Sequence, residues 1–136
     1  MFTGKHSNLN RNNIVGGMGE KIAASYLRDI GWTNIQRNVL VGGYELDIVG
    51  RDPDGLLVVV EVKFSEHGLP GFTGEVRLNH RKIAALRRGL EMFVAKHHRD
   101  TVAGCRLDAI CVTPKKGELT NNTNDYIINH YINVLG

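Results

Sequence analysis

Residues 56–64 constrain the fold of this chain more than any other segment, because they combine a continuous apolar run with two charged side chains. The run covers residues 56–60, and four of the nine residues are valine, a residue that favours strands. A strand that is apolar on both faces is typical of the buried centre of a sheet. Glu61 and Lys63 follow within the same strand. Charged groups in that position must be paired, bind a metal ion or line a cleft.

A second strand, predicted over residues 44–50, carries two further carboxylates. Side chains alternate between the two faces of a strand, which predicts Leu46 and Ile48 on one face. Glu45 and Asp47 then share the opposite face. The acidic pair therefore lies close to the charged end of the strand that follows.

A turn at residues 51–55 contains proline and glycine and joins the two strands into an antiparallel hairpin. A register that pairs Asp47 with Glu61 brings their Cβ atoms to about 5 Å. Two carboxylates at that distance repel unless a cation separates them. Mg²⁺ binds oxygen ligands and needs only one or two protein carboxylates, and the backbone carbonyl of Val62 is a natural further ligand. Lys63 would lie beside the ion and orient the attacking water or neutralise charge in the transition state.

Glu20 is the next acidic candidate, on a helix predicted over residues 17–30. It borders the apolar stripe that contains Leu27, so it could reach the hairpin as an additional metal or water ligand. Both acidic groups also have structural interpretations. A glutamate in the first turn is favoured by the helix dipole by about 0.3–1 kcal/mol, and Glu45 could form a cross-strand ion pair with Lys63.

Positive charge is concentrated in residues 77–106, which contain eight Lys or Arg and two acidic residues, in a chain of net charge +3. Cations in such numbers hold phosphates, so the segment indicates a polyanionic partner; a solvated helix face is the alternative. Much of the segment is a predicted helix, residues 79–97. The candidates for contact with a nucleic-acid backbone are Arg77, Arg81, Lys82, Arg87 and Arg88.

The patterns along the chain predict the order α-β-β-β-α-β and then a terminal element at residues 126–135. Apolar residues there fit both a strand and a helix, and we interpret the element as a short strand. A helix between the third and fourth strands is long enough for a parallel crossover. We predict one α/β domain at residues 16–136, with a mixed sheet of four or five strands flanked by helices, preceded by a flexible polar arm at residues 1–15.

The sequence also bears on membrane insertion, secretion and disulfide formation. No apolar run approaches the roughly 18–20 residues of a membrane span, and residues 1–13 are polar, unlike a secretory signal. Cys105 and Cys111 would lie about 20 Å apart along one strand, which is too far for a disulfide. We therefore expect a cytoplasmic protein that does not bind membranes.

Several of these motifs together resemble the YraN-type family of small bacterial proteins, which is grouped with the PD-(D/E)XK nuclease superfamily near the Holliday-junction resolvases. The motifs are Gly16-x-x-Gly19-Glu20, Gly31, Arg37-Asn38, Glu45-Leu46-Asp47-Ile48, Val60-Glu61-Val62-Lys63, Lys82 and Arg106-Leu107-Asp108. The chain departs from the family pattern at Leu40 and at Phe64-Ser65, where the family tends to carry phosphate-binding residues.

The resemblance implies a restriction-endonuclease-like core and a metal-dependent endonuclease that hydrolyses phosphodiester bonds in DNA and selects branched or junction structures. It implies Asp47 and Glu61 as ligands of Mg²⁺ or Mn²⁺, Lys63 as the catalytic lysine and Glu20 as an extra acidic group. Glu45 would be a supporting acidic residue and Lys82 a substrate-facing cation, and resolvase relatives suggest a homodimer. The alternatives are a non-catalytic nucleic-acid-binding module that retains the fold, and a scaffold protein whose charges form salt bridges.

Overall fold

A computed structural model of the chain describes residues 4–65, 80–97, 99 and 104–135, and the side chains of residues 17–65, 84–97, 99 and 104–135. The elements are α1 (Gly4–Asp29), β1 (Thr33–Val41), β2 (Tyr44–Arg51), β3 (Leu57–Phe64), α2 (His80–Lys96), β4 (Cys105–Pro114) and β5 (Tyr126–Tyr131), with a 3₁₀ turn at Thr123–Asp125. The predicted order of elements is confirmed, and the terminal element is a strand.

The five strands form one mixed sheet in the order β1-β2-β3-β4-β5. Strands β3 and β4 are parallel and are connected through α2, as the crossover argument predicts, while the other neighbouring pairs are antiparallel. This architecture confirms the predicted α/β class and is consistent with a restriction-endonuclease-like core.

The two helices pack on opposite faces of the sheet, called here the α1 side and the α2 side. On the α1 side, Leu27 packs with Val58 and other buried residues. On the α2 side, Phe93 packs with Val59 and its neighbours. Adjacent valines of β3 therefore belong to different cores, which is why the middle of this strand needs apolar side chains at every position.

Helix α1 begins at Gly4, well before residue 17, where the spacing of apolar residues predicts its start. That spacing marks only the part of a helix that packs on a sheet, so a polar N-terminal extension has no comparable signal. The division into an arm at residues 1–15 and a domain at residues 16–136 stays a prediction.

Strand β2 departs from the predicted alternation. Leu46 and Val49 pack on the α2 side, whereas Ile48 packs on the α1 side, so the prediction that Leu46 and Ile48 share a face is wrong. The alternation slips between Asp47 and Ile48. The neighbouring position of β1 is Asn38, whose φ of 54° is left-handed. The slip in β2 and the left-handed residue of β1 thus lie side by side. Together they change which side chains of these two strands point to the α1 side.

Two further expectations concern disulfide formation and membrane-spanning helices. Cys105 and Cys111 are not joined by a disulfide, as the spacing predicts. In the part of the chain that the structure describes, no helix is both long and apolar enough to cross a membrane.

Candidate functional site

Three carboxylates meet at the open end of the β2–β3 hairpin. Glu20 of α1 and Glu45 and Asp47 of β2 each offer one oxygen atom, and these atoms lie within 4.8 Å of one another. Glu20 and Asp47 are half-buried and Glu45 is exposed. The sequence predicts all three as members of one acidic site, and the structure brings them together.

The Asp47 side chain lies where β2 and β3 stop pairing. Their backbone pairing includes Ile48 opposite Val60, which is the register considered in the sequence analysis and makes Asp47 and Glu61 the next facing residues. Beyond that pair, Asp47 Oδ2 accepts a hydrogen bond of 2.9 Å from the backbone N–H of Val62. A side-chain oxygen therefore satisfies a donor of β3, and it orients the carboxylate.

Two consecutive residues of β1, Arg37 and Asn38, bind the acidic group from the edge of the sheet. The Arg37 guanidinium lies 3.6 Å from Glu20 Oε2. With its amide assigned so that nitrogen faces the carboxylates, Asn38 donates to Glu45 Oε1 at 3.0 Å and to the two oxygens of Glu20 at 3.0 and 3.1 Å. The left-handed backbone at Asn38 lets both residues face the same way. Asparagine is among the few residues that tolerate this conformation.

The clustering of negative charge changes the acidity of Glu20. Burial raises the pKa of Glu20 above its ordinary 4.5, and the charge of Asp47 and a hydrogen bond between the two carboxyl groups raise it further. Arg37 acts in the opposite direction, while Glu45 adds to the increase. The three carboxylates therefore carry more negative charge than Arg37 balances. Additional positive charge would relieve this repulsion.

A divalent cation fits this donor set. All three groups offer hard carboxylate oxygens, the ligands that Mg²⁺, Mn²⁺ and Ca²⁺ prefer. Bonds of 2.0–2.6 Å place opposite ligand atoms of one ion about 4–5 Å apart, which matches the spread of up to 4.8 Å in this group. Glu20, Glu45 and Asp47 are therefore the residues that could hold the ion.

Glu61 and Lys63 are not in this set of three, among the residues whose side chains the structure describes. Val62 and Phe64 pack on the α1 side together with Val60, so alternation directs Glu61 and Lys63 to the α2 side. Lys63 is exposed and Glu61 is half-buried. The expectation that Asp47, Glu61 and Lys63 converge on one face is thus not what the side-chain directions show, because Asp47 belongs to the cluster with Glu20 and Glu45.

The structure describes the side chains of only some of the predicted phosphate-binding cations. Arg87 and Arg88 are exposed on α2. Arg77 lies outside the described residues, and so do the side chains of Arg81 and Lys82, although their backbone belongs to α2.

A second polar network has Asp108 at its centre, a fully buried residue of β4. Arg106 donates to it through Nε at 2.7 Å and through a terminal nitrogen at 3.0 Å. His130 Nε2 lies 2.8 Å away, and the Asn133 N–H donates at 2.9 Å. Burial alone would raise the pKa of Asp108, but the hydrogen bonds from His130 and Arg106, with that from Asn133, lower it below 3.8. The network ties β4 to β5 and the chain beyond it.

Sequence patterns identify some of these partners and miss others. Arg37 and Asn38 enter only as part of a family motif, because a left-handed residue inside a strand leaves no periodic signal. His130 has no spacing that indicates a metal site, and its partner Asp108 looks like one polar residue in an apolar strand. A buried aspartate must be paired, and the motif Arg106-Leu107-Asp108 contains one of the partners of Asp108; these two signals could have pointed to the network.

Comparison with known proteins gives a consistent family assignment. The model of the uncharacterised protein family UPF0102 matches residues 19–112. A UPF0102 protein of Dehalococcoides mccartyi is 36% identical over 100 residues, covering 71% of this chain and 78% of the relative. A UPF0102 protein of Carboxydothermus hydrogenoformans is 31% identical over 127 residues, covering 93% of this chain and 98% of the relative. The matched region includes the three carboxylates, Asp108 and α2.

Proposed function

The chain belongs to the uncharacterised protein family UPF0102, which is the YraN-type family that its motifs resemble, and we propose that it is a metal-dependent endonuclease that hydrolyses phosphodiester bonds in DNA. The observation that carries this proposal is the convergence of Glu20, Glu45 and Asp47 within 4.8 Å. Oxygen-only sites of this kind suit Mg²⁺ or Mn²⁺, which phosphoryl-transfer enzymes use to offset the charge of the substrate.

The three carboxylates have different parts in this proposal. Asp47 is oriented by the Val62 N–H, so its second oxygen can bind the ion without a search through rotamers. Glu20 and Glu45 are held by Asn38 and complete the ligand set. A divalent cation bound there would supply positive charge to the phosphodiester and favour ionisation of water.

Glu61, Lys63 and the Val62 carbonyl belong to the proposal as groups next to Asp47 on β3. Asp47 and Glu61 are the facing positions beyond the last backbone pair. A phosphodiester at the open end of the hairpin would be within reach of both faces. Lys63 would neutralise charge that develops on the phosphate or orient the attacking water, and Glu61 with the Val62 carbonyl would provide further oxygen ligands.

Contacts from α2 would hold the DNA backbone. α2 packs on the side of the sheet towards which Lys63 projects, and it carries the exposed Arg87 and Arg88. Phosphate contacts position a nucleic acid without reading its sequence. We therefore propose a structure-selective enzyme that acts on branched or junction DNA, and a homodimer would present two such sites to one branched substrate.

A second candidate is a nucleic-acid-binding module without catalysis. It is favoured by the direction of Glu61 and Lys63, which project to the α2 side while Glu20 and Glu45 lie on the α1 side. In this case the exposed arginines of α2 bind phosphates, and the acidic cluster has no hydrolytic role.

A cleavage panel distinguishes the two candidates. Single-stranded, duplex, flapped and four-way junction DNA, and RNA of matching sequence, are incubated with Mg²⁺ or Mn²⁺ and with wild-type protein or Lys63→Ala. The nuclease proposal expects wild type to cleave branched DNA, and Lys63→Ala to bind equally but not cleave. Binding without cleavage under either metal supports the binding module, and no binding at low salt, where phosphate contacts are strongest, rejects both.

A further inference from the structure

A cavity of about 460 Å³ borders the acidic cluster on the α1 side. One wall is α1 between Gly17 and Ser25, the opposite wall contains Thr120 and Thr123, and Arg37 lies at the border with the cluster. Its size falls within the range of small-molecule and cofactor sites. Because the cavity lies next to the carboxylates, a substrate bound at the carboxylates would also be close to the groups that line the cavity.

The polar groups of this cavity suit an anion. Its lining includes two cations, Lys21 and Arg37, together with the hydroxyl groups of Ser25 and Thr123. The hydroxyl of Thr120, which also lines the cavity, donates to Asp125 Oδ2 at 2.8 Å. No carboxylate is among the lining residues that the structure describes. Lysine and arginine with neighbouring hydroxyl donors are the groups that bind phosphate in proteins.

The wall of the cavity that contains Thr120 and Thr123 is fixed by hydrogen bonds. The hydroxyl of the buried Tyr126 accepts from the Thr120 N–H at 2.8 Å and lies 2.7 Å from the Thr120 carbonyl oxygen. The same hydroxyl lies 3.4 Å from the sulfur of Met18 in α1. The Asn122 side chain accepts from the Asn124 N–H at 3.0 Å. A wall fixed in this way avoids much of the entropy cost of ordering on binding.

Arg37 belongs to both the cavity and the acidic cluster. Its guanidinium donates to the carbonyl oxygen of Gly17 at 2.9 Å and lies 3.6 Å from Glu20. A side chain at Gly17 would meet nothing within 4 Å, so the backbone there is open. One cation therefore lies between a site that suits a divalent metal ion and a site that suits an anion.

We propose that this cavity is a phosphate-binding subsite for the DNA strand whose scissile linkage lies at the acidic cluster; the inference rests on the proposed function. A neighbouring phosphate of the strand would lie between Lys21 and Arg37, with the hydroxyl groups of residues 25 and 123 as further donors. The subsite would fix the direction of the strand and the distance from the bound phosphate to the cleaved bond. It provides positive charge on the α1 side, opposite to the face covered by α2.

The test needs no catalysis. Amide signals of Lys21, Ser25 and Thr123 are followed in ¹H–¹⁵N spectra with EDTA present, while inorganic phosphate is added, then a short DNA strand with a 5′-phosphate, then the same strand without it. We expect these signals to shift with inorganic phosphate and with both strands. A shift only with the phosphorylated strand assigns the subsite to a terminal phosphate, and shifts with both assign it to the phosphodiester backbone.

Matched variants separate this cavity from general charge. Lys21→Ala is expected to weaken DNA binding about tenfold, the size of one lost charge-assisted contact. Arg28→Ala removes an exposed cation of the same helix outside the cavity and should have little effect. Ser25→Glu places a carboxylate in the cavity and is expected to abolish the phosphate-induced shifts while the rest of the spectrum is unchanged.

The outcomes also separate this inference from the proposed function. Equal weakening by Lys21→Ala and Arg28→Ala, or absence of shifts at these amides, overturns the subsite whatever the protein cleaves. Phosphate-induced shifts in a protein that cleaves no nucleic acid support an anion site and reject the nuclease. If both hold, Lys21→Ala should raise the KM for cleavage and leave kcat unchanged, because the phosphate it binds does not react.

Discussion

Asp47 Oδ2 accepts a hydrogen bond of 2.9 Å from the backbone N–H of Val62. The bond crosses the gap where β2 and β3 separate, and it uses a carboxylate where a regular ladder would use a carbonyl. A charged side chain that completes a sheet in this way is held at one position by the backbone. That position is beside Glu20 and Glu45.

Asp47→Asn should separate the structural and the metal-binding roles of this residue. The amide oxygen can still accept the hydrogen bond from the Val62 N–H, so the substitution keeps this contact. In the absence of metal, the free energy of unfolding should rise slightly, because one of three repelling charges is removed. Affinity for Mn²⁺ should fall by about tenfold or more, as expected for the loss of a charged ligand. Calorimetric titration and urea unfolding measure the two quantities. Asp54→Asn, at an exposed aspartate of the 51–55 turn, is the control, and an equal Mn²⁺ affinity in both variants would contradict the assignment.

Asn38 should be sensitive to backbone shape as well as to side-chain chemistry. Asn38→Gly removes the amide that bridges Glu20 and Glu45 but accepts the φ of 54° without strain. Asn38→Ala removes the same amide and adds strain, so its free energy of unfolding should be lower than that of Asn38→Gly by about 1 kcal/mol. Urea denaturation of both variants gives the difference. A more stable alanine variant would show that the left-handed backbone is not formed.

Gly19 sets how closely α1 approaches β3. A Cβ atom there would lie 3.1 Å from two carbon atoms of Phe64, which is too tight for ordinary packing. The overpacking of about 1–3 kcal/mol exceeds the gain in helix propensity of about 1 kcal/mol, so Gly19→Ala should lower the free energy of unfolding by up to about 2 kcal/mol and shift the adjacent Glu20. Gly17→Ala is the matched control, because open space surrounds that position and alanine favours a helix by about 1 kcal/mol. Both stabilities follow from thermal or urea unfolding, and a stabilised Gly19→Ala would contradict the close approach.

The Asp108 network should appear in the acid limb of the stability curve. The folded protein lowers the pKa of Asp108 below the 3.8 of an unperturbed carboxyl group, so the ionised form stabilises the fold above that pH. This stabilisation is lost as the pH falls below 3.8 and through the lower pKa of the folded state. Asp108→Asn should flatten the acid limb and, by removing one of the two carboxylates that pair with Arg106 while Asp52 remains 3.1 Å away, cost about 1–3 kcal/mol at neutral pH.

Urea unfolding between pH 2 and pH 7 measures both effects. Asp54→Asn again provides a control, since it removes an exposed carboxylate. If Asp108→Asn keeps the acid limb of wild type, the network does not contribute in the way its hydrogen bonds indicate.

The strands and the β2–β3 hairpin were predictable because the signals for them are local. The 51–55 turn predicts the hairpin, and the observed pair of Ile48 and Val60 agrees with the register in which Asp47 faces Glu61. The parallel crossover through α2 likewise follows from element lengths. The face of each polar side chain was harder to predict, since alternation holds only while the backbone is regular. One left-handed residue, Asn38, coincides with a slip that no pattern of side chains records.

The acidic members of the candidate site were predictable in part and its partners were not. Carboxylates near a central strand demand neutralisation, which groups Glu45 and Asp47, but the same argument includes Glu61, which is not one of the three carboxylates that meet. Arg37 approaches from the edge strand through tertiary packing, and sequence spacing contains no information on that contact. The separation of Lys63 from the acidic cluster was not predictable, because the slip in β2 moves Glu45 and Asp47 to the other side relative to β3.

The central claim is tested most directly by cleavage of four-way junction DNA in Mn²⁺ by wild-type protein and by Asp47→Asn, with folding of both checked by urea denaturation. We expect product with wild type, none when EDTA replaces Mn²⁺, and at least a hundredfold lower rate with the folded Asp47→Asn, in line with about 3 kcal/mol of lost transition-state stabilisation. Equal cleavage by the two proteins, or cleavage that persists in EDTA, would contradict it.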